Sequence, residues 1–223
     1  MSSELQDLPT PIPGEERPAD EHANFITHAL GLLLSLVAST VLMTSAIVDH
    51  KPIMVAACAT YCVSLIGLYA ASTLSHAFYD RTWRRFFRTL DQACIFLLIA
   101  GSFTPVAAVY LNHGWWPALP AAMWGLALIG VIAVMRVRTL TPTAQMAYLL
   151  LGWMPAISLK VLFDTVPFQI LTWIIAGGVF YSVGTVFLRF DQHVRFLHAL
   201  WHTFVIAGSI CHYVAILWLL AMS

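Results

Sequence analysis

Seven long apolar stretches, each set off by a short polar break, organise this chain. They run over residues 24–47, 53–75, 90–110, 117–135, 144–163, 168–188 and 198–220. A helix rises 1.5 Å per residue, so about 20 apolar residues cross the ~30 Å hydrocarbon core of a bilayer. Barrel strands would be half that length and would alternate in polarity. The breaks carry turn chemistry, as in Asp49-His50-Lys51-Pro52, Asn112-His113-Gly114 and the run from Asp164 to Pro167. Connections this short join neighbouring antiparallel helices. The pattern predicts an all-α fold, an integral membrane bundle of seven transmembrane helices over residues 23–223, with no internal repeat.

Residues 1–22 break the pattern. They are polar and acidic and include Pro9, Pro11, Pro13 and Pro18, the composition of a disordered tail. The basic and apolar regions of a signal peptide are missing from it. The first helix is therefore expected to insert as its own signal and to remain.

Composition narrows the class. The chain is 60% hydrophobic and 10% charged, with a mean hydropathy of +0.79; a soluble domain carries about 25% charged residues. The net charge is zero, and no basic domain exists to meet nucleic acid. Membrane lipids are the expected partners. Cys58, Cys62, Cys94 and Cys211 lie inside apolar runs and read as packing residues rather than a disulfide framework or a metal motif. Gly177, Gly178 and Gly184 read as close helix contacts, and Pro105 and Pro155 as kinks.

Basic residues set the expected orientation. Arg81, Arg84, Arg85 and Arg88 fall between the second and third stretches, Arg136 and Arg138 between the fourth and fifth, Arg189 and Arg195 between the sixth and seventh. The other side has Lys51 and Lys160. The positive-inside rule places the N-terminus inside and the C-terminus outside. Trp115 and Trp116 suit an outer aromatic belt and Trp83 an inner one.

The chemistry lies in ionisable groups that hydrocarbon penalises and that membrane chains therefore seldom keep without use. His76 ends the second stretch, Asp91 begins the third, and His198 and His202 begin the seventh. All four reach one layer near the arginine-rich side. His198 and His202 are spaced i,i+4 and share a helix face. With His76 they make three imidazoles, the ligand set of an open zinc site. Asp91 suits hydrogen bonding to a water at the metal or to a ligand histidine. Ser72 lies one turn from His76. The competing reading is that histidines near an interface snorkel. His28 shares a polar face with Glu21 and Asn24, which reads more simply as packing and capping. Ser102 follows Asp91 along one helix. His202, Ser209 and His212 either line a polar cavity, or His212 hydrogen-bonds a neighbouring helix.

These residues together resemble the hemolysin III family, the bacterial branch of the progestin and adipoQ receptor superfamily that includes the adiponectin receptors. The matching residues are Glu21, Asn24, Thr27 and His28; Ser72 and His76; Leu90 and Asp91, then Ile99 through Pro105; Gly177, Gly178, Tyr181 and Gly184; and His198, His202 and His212. They span nearly the whole membrane region in order. The resemblance implies Zn2+ held by His76, His198 and His202, with Asp91 and Ser72 as non-ligand members of the site. It also implies the bacterial cytoplasmic (inner) membrane as location. Alkaline ceramidases share such a site, which implies zinc-dependent hydrolysis of a lipid amide or ester. The alternatives are a non-catalytic sensor with structural zinc and a cytolytic pore-forming protein. The short loops argue against a peptide-hormone receptor.

Overall fold

The computed structural model describes residues 18–49, 52–138 and 141–222. Among these residues the structure is all-helical: α1 (Pro18–Asp49), α2 (Pro52–Ala77), α3 (Arg81–Tyr110), α4 (Ala118–Val137), α5 (Pro142–Trp153), a 3-10 turn (Met154–Ser158), α6 (Leu159–Thr165), α7 (Phe168–Phe190) and α8 (Leu197–Met222). With α5, the 3-10 turn and α6 taken as one segment, seven helices are long and apolar enough to cross a membrane. The chain is a multi-pass membrane protein. Residues 1–17 of the expected tail, Lys51 and Ser223 lie outside the described residues.

Two boundaries differ from the sequence reading. The first helix begins at Pro18, not residue 23. Proline fits the first helical turn, where its missing N–H costs nothing. Asp20 and Glu21 sit in that turn, where acidic groups are favoured. The third helix begins at Arg81, so Arg81, Arg84, Arg85 and Arg88 are helical rather than in a loop. Asp80 is its N-cap, accepting 3.0 Å hydrogen bonds from the Thr82 and Trp83 amides. Arginine is also a good helix former.

The fifth span is broken where Pro155 falls, in the 3-10 turn. Proline supplies no N–H to the helical ladder, which accounts for the change of pitch. The fifth span opens on a Thr141 cap, whose hydroxyl accepts from the Ala144 amide at 3.2 Å.

Helix α1 packs on α2 and α8, α3 on α2 and α4, and α7 on α8, while α3 also meets α5 and α8. Helices α2, α3 and α8 supply most of the interior, around Tyr61, Tyr69, Ile216 and Leu219. The outer surface is apolar, with Val63, Leu150 and Phe168 well exposed, as expected where lipid is the solvent. Hydroxyls in the spans turn back on their own helices: Thr40, Thr44 and Thr60 each donate to the carbonyl four residues earlier. Two of the three glycines expected at close contacts are there. A methyl at Gly184 would strike Trp201 and Phe204, and one at Gly177 would strike His212. Gly178 faces open space on the wall of a cavity.

Candidate metal centre

At the arginine-rich end of the bundle two helix ends bring three histidines together. The last turn of α2 carries His76, and the first turns of α8 carry His198 and His202. Each histidine places one ligand-capable atom within 4.8 Å of those of the other two. The ring centroids are 5.4 Å apart for His76 and His198, 5.3 Å for His76 and His202, and 4.6 Å for His198 and His202. His202 and His76 are buried; the His198 side chain keeps 29% of its surface exposed.

The outer nitrogens explain which atoms are offered. His76 Nδ1 donates to the Glu21 carboxylate at 2.8 Å. His198 Nδ1 donates to the Asp191 carboxylate at 2.8 Å. His202 Nδ1 stands 3.0 Å from Thr27 Oγ1, whose own proton is directed at the Ala23 and Asn24 carbonyls, both at 2.9 Å. Thr27 is therefore the acceptor. All three rings carry their proton on Nδ1, leaving three Nε2 lone pairs for an ion. A carboxylate or other acceptor behind each ligand histidine is the arrangement that fixes tautomer and ring orientation at metal sites. The donor set fits zinc, which takes three imidazoles and keeps one position open.

Glu21 joins several elements. It also accepts from Arg88 at 3.0 Å and lies 3.8 Å from buried Arg84, whose Nε donates to the Phe78 carbonyl. Its neighbour Asp20 accepts from Arg195 and from the Phe196 amide, each at 3.2 Å. Phe196 adopts the left-handed backbone, φ 61°, just before α8 begins. The first turn of α1 thus braces both the end of α2 and the loop that leads into α8.

Asp91, on α3, has His198, Ser72 and Arg88 as its polar neighbours. Ser72 is fully buried, and its hydroxyl has no complete hydrogen bond within the protein. It is placed to donate to the Asp91 carboxylate.

The other polar candidates, His28, Ser102, Ser209 and His212, fall in three places. His28 stacks on His202 with centroids 3.5 Å apart and meets Tyr69 at 5.2 Å; both its nitrogens are unpaired, so capping does not describe it. Ser209 belongs to a separate knot, 2.9 Å from the hydroxyls of both Tyr69 and Tyr181. Ser102 and His212 line a partly open cavity of about 160 Å³ between α3, α5, α6, α7 and α8. Its wall is mainly apolar, and His212 Nε2 lies 3.3 Å from the Ile174 carbonyl of α7, the alternative in which it bonds a neighbouring helix. The cavity lining runs from Ile95 and Trp201 to Val106 and Ile216, and His76, His198, His202, Asp91 and Ser72 are not part of it.

Sequence reasoning missed the acceptors. Glu21 was read as part of a polar face, and Asp191 was not singled out. Acidic residues at a span boundary, facing arginine-rich loops, were the available signal.

Comparison with known proteins shows the family. The Haemolysin-III related family matches residues 17–213. "Hemolysin-3" of Bacillus cereus is 35% identical over 193 residues, covering 85% of this chain and 87% of that protein. "Hemolysin-3 homolog" of Bacillus subtilis (strain 168) is 31% identical over 199 residues, covering 89% and 93%. "Monocyte to macrophage differentiation factor" of Homo sapiens is 28% identical over 218 residues, covering 92% and 87%. With the match running from the Glu21 turn through the last histidine of α8, the chain belongs to the hemolysin III family.

Proposed function

We propose that this protein is a zinc-dependent hydrolase of a lipid amide or ester in the bacterial inner membrane, with its N-terminus inside. One observation carries the reading: three Nε2 lone pairs, oriented by Glu21, Asp191 and Thr27, gather near Asp91 and the buried Ser72 hydroxyl beside it. A mainly apolar cavity lies in the same bundle, with Ile95, one turn along α3 from Asp91, in its wall. That combination suits a substrate with a polar head to be cut and an acyl chain to be buried.

Zinc held by His76, His198 and His202 would acidify a water and polarise a carbonyl. Asp91 accepts the proton of the attacking water and returns it to the leaving nitrogen or oxygen, the work of a general base and acid. Ser72 donates to the oxygen on which charge develops. Arg88, shared between Glu21 and Asp91, holds the carboxylates apart in role. The apolar cavity walls keep bulk water from the acyl chain.

A structural zinc in a non-catalytic sensor is the second reading. It is favoured by the way the site links α1, α2, α3 and the loop before α8. A cytolytic pore draws less support, because the cavity wall is mainly apolar. Purified protein, with zinc quantified, incubated with a panel of ceramides, acyl amides and esters separates the first two. Release of fatty acid that depends on His202 supports the hydrolase; a zinc-replete protein inert across the panel supports the sensor.

A further inference from the structure

A fourth histidine lies against the three proposed ligands. The ring of His28, on α1, lies across the face of the His202 ring, with centroids 3.5 Å apart and planes 34° apart. Tyr69 of α2 closes the other side, edge-on at 5.2 Å. Tyr69 is itself held, its hydroxyl donating to Ser209 Oγ at 2.9 Å. Gly31, one turn along α1 from His28, leaves the tyrosine ring its room, since a methyl there would strike it. Helices α1, α2 and α8 thus build one seat around His28.

The imidazole makes no hydrogen bond in that seat. Both nitrogens are buried, and neither meets a protein partner. Unpaired buried polar atoms are costly, and a leucine would fill a similar volume without them. Nor does His28 join the ligand set: the atoms that gather within 4.8 Å of one another come from His76, His198 and His202. What histidine offers here and leucine lacks is a small aromatic face, and that face is turned to a ligand ring.

His202 is the ligand with the weakest support behind it. His76 and His198 each rest Nδ1 on a carboxylate at 2.8 Å. His202 meets only the neutral Thr27 hydroxyl, at 3.0 Å. Bonds to a charged acceptor are the stronger kind. An imidazole bound to a cation is electron-poor, and an aromatic face is attracted to positive charge. The stack on His202 therefore strengthens when an ion is held, and so adds to affinity.

We infer that His28 is a positioning residue for the metal centre: its ring face seats the His202 imidazole and strengthens zinc binding, in place of the carboxylate that His202 lacks. The inference rests on zinc binding at the three histidines and not on hydrolysis.

Chelator competition on the purified full-length protein tests this with two variants. His28→Leu fills the space without an aromatic face, and His28→Phe restores the face. H28L should bind zinc about tenfold more weakly than wild type, the scale of one desolvated cation–π contact. H28F should lie within about threefold of wild type. With Co2+ in place of zinc, the visible bands of H28L should shift from those of wild type, while those of H28F overlay them. A role in packing alone would lower the Tm of metal-free H28L and leave its zinc Kd and cobalt bands at wild-type values. That result overturns the inference, as does an H28F that folds and binds as weakly as H28L. Should H28F not fold, H28L decides alone. Should H28L not fold, magnetic resonance on wild type with isotope-labelled histidine decides: the His28 ring signals must move as zinc is added, and unmoved signals overturn the inference. Wild type that holds neither zinc nor Co2+ overturns the metal centre and this inference with it. Zinc binding that depends on His28 without any turnover sinks only the hydrolase.

Discussion

An imidazole has two nitrogens, and the partner of one decides what the other can do. In this protein the partners are Glu21, Asp191 and Thr27, and they hand three Nε2 atoms to one point. Wild type should hold about one zinc per chain, as three imidazoles and an open position predict. Alanine at His202 should remove most of it, measured by atomic emission on purified protein; full zinc in H76A, H198A and H202A alike would rule the site out. Glu21→Gln and Asp191→Asn should keep the ligands but lower metal affinity by about 10- to 100-fold, the usual effect of losing such an acceptor. Competition with a chelator reads this directly, and unchanged affinity in both variants would contradict the orienting role. The clustering of the three histidines was legible in the sequence because helical spacing and depth in the membrane fix their positions. Their acceptors were not. Glu21 precedes His76 by most of two helices, and Thr27 meets His202 across nearly the whole chain, pairings that local pattern does not encode.

The third helix shows what polar sequence can hide. Its first turns carry four arginines and look like a loop by hydropathy, yet Asp80 caps them and Glu21 draws Arg88 inward. An Asp before a run of good helix formers was the signal for a helix start. Asp80→Ala should cost about 1 kcal/mol, the usual worth of an N-cap, and lower Tm by about 2–4 °C for a chain of this size. Thermal unfolding in detergent checks it; an unchanged Tm would mean that the cap contributes nothing. The fifth span was correctly placed as a segment, and Pro155 marked its break, but a 3-10 turn rather than a simple kink accommodates it. Gly178 illustrates the opposite error. A paired glycine suggested close packing, whereas the residue borders the cavity, because a glycine permits close approach without requiring it.

At the scale of the molecule, hydropathy alone fixed seven spans, since the length of an apolar run is set by the bilayer and not by tertiary detail. Which helices form the centre, and where a cavity opens, depends on side-chain packing between distant segments and was not legible. The proposed orientation follows from eight arginines near one face against two lysines near the other. A phosphatase reporter fused after Ser223 should be active outside the membrane, and a cytoplasmic C-terminus would overturn that orientation. An apolar cavity lies in the same bundle as the clustered histidines, and the proposed lipid hydrolysis is the reading that would use both features. The most direct test of that claim is turnover of a ceramide-like substrate by wild type and Asp91→Asn, with zinc counted on the same preparations. Asparagine keeps size and some hydrogen bonding but cannot take a proton at neutral pH. Hydrolysis by wild type, with a loss of at least about 100-fold in D91N at undiminished zinc, is the predicted result; equal turnover in the two proteins at equal zinc would contradict it.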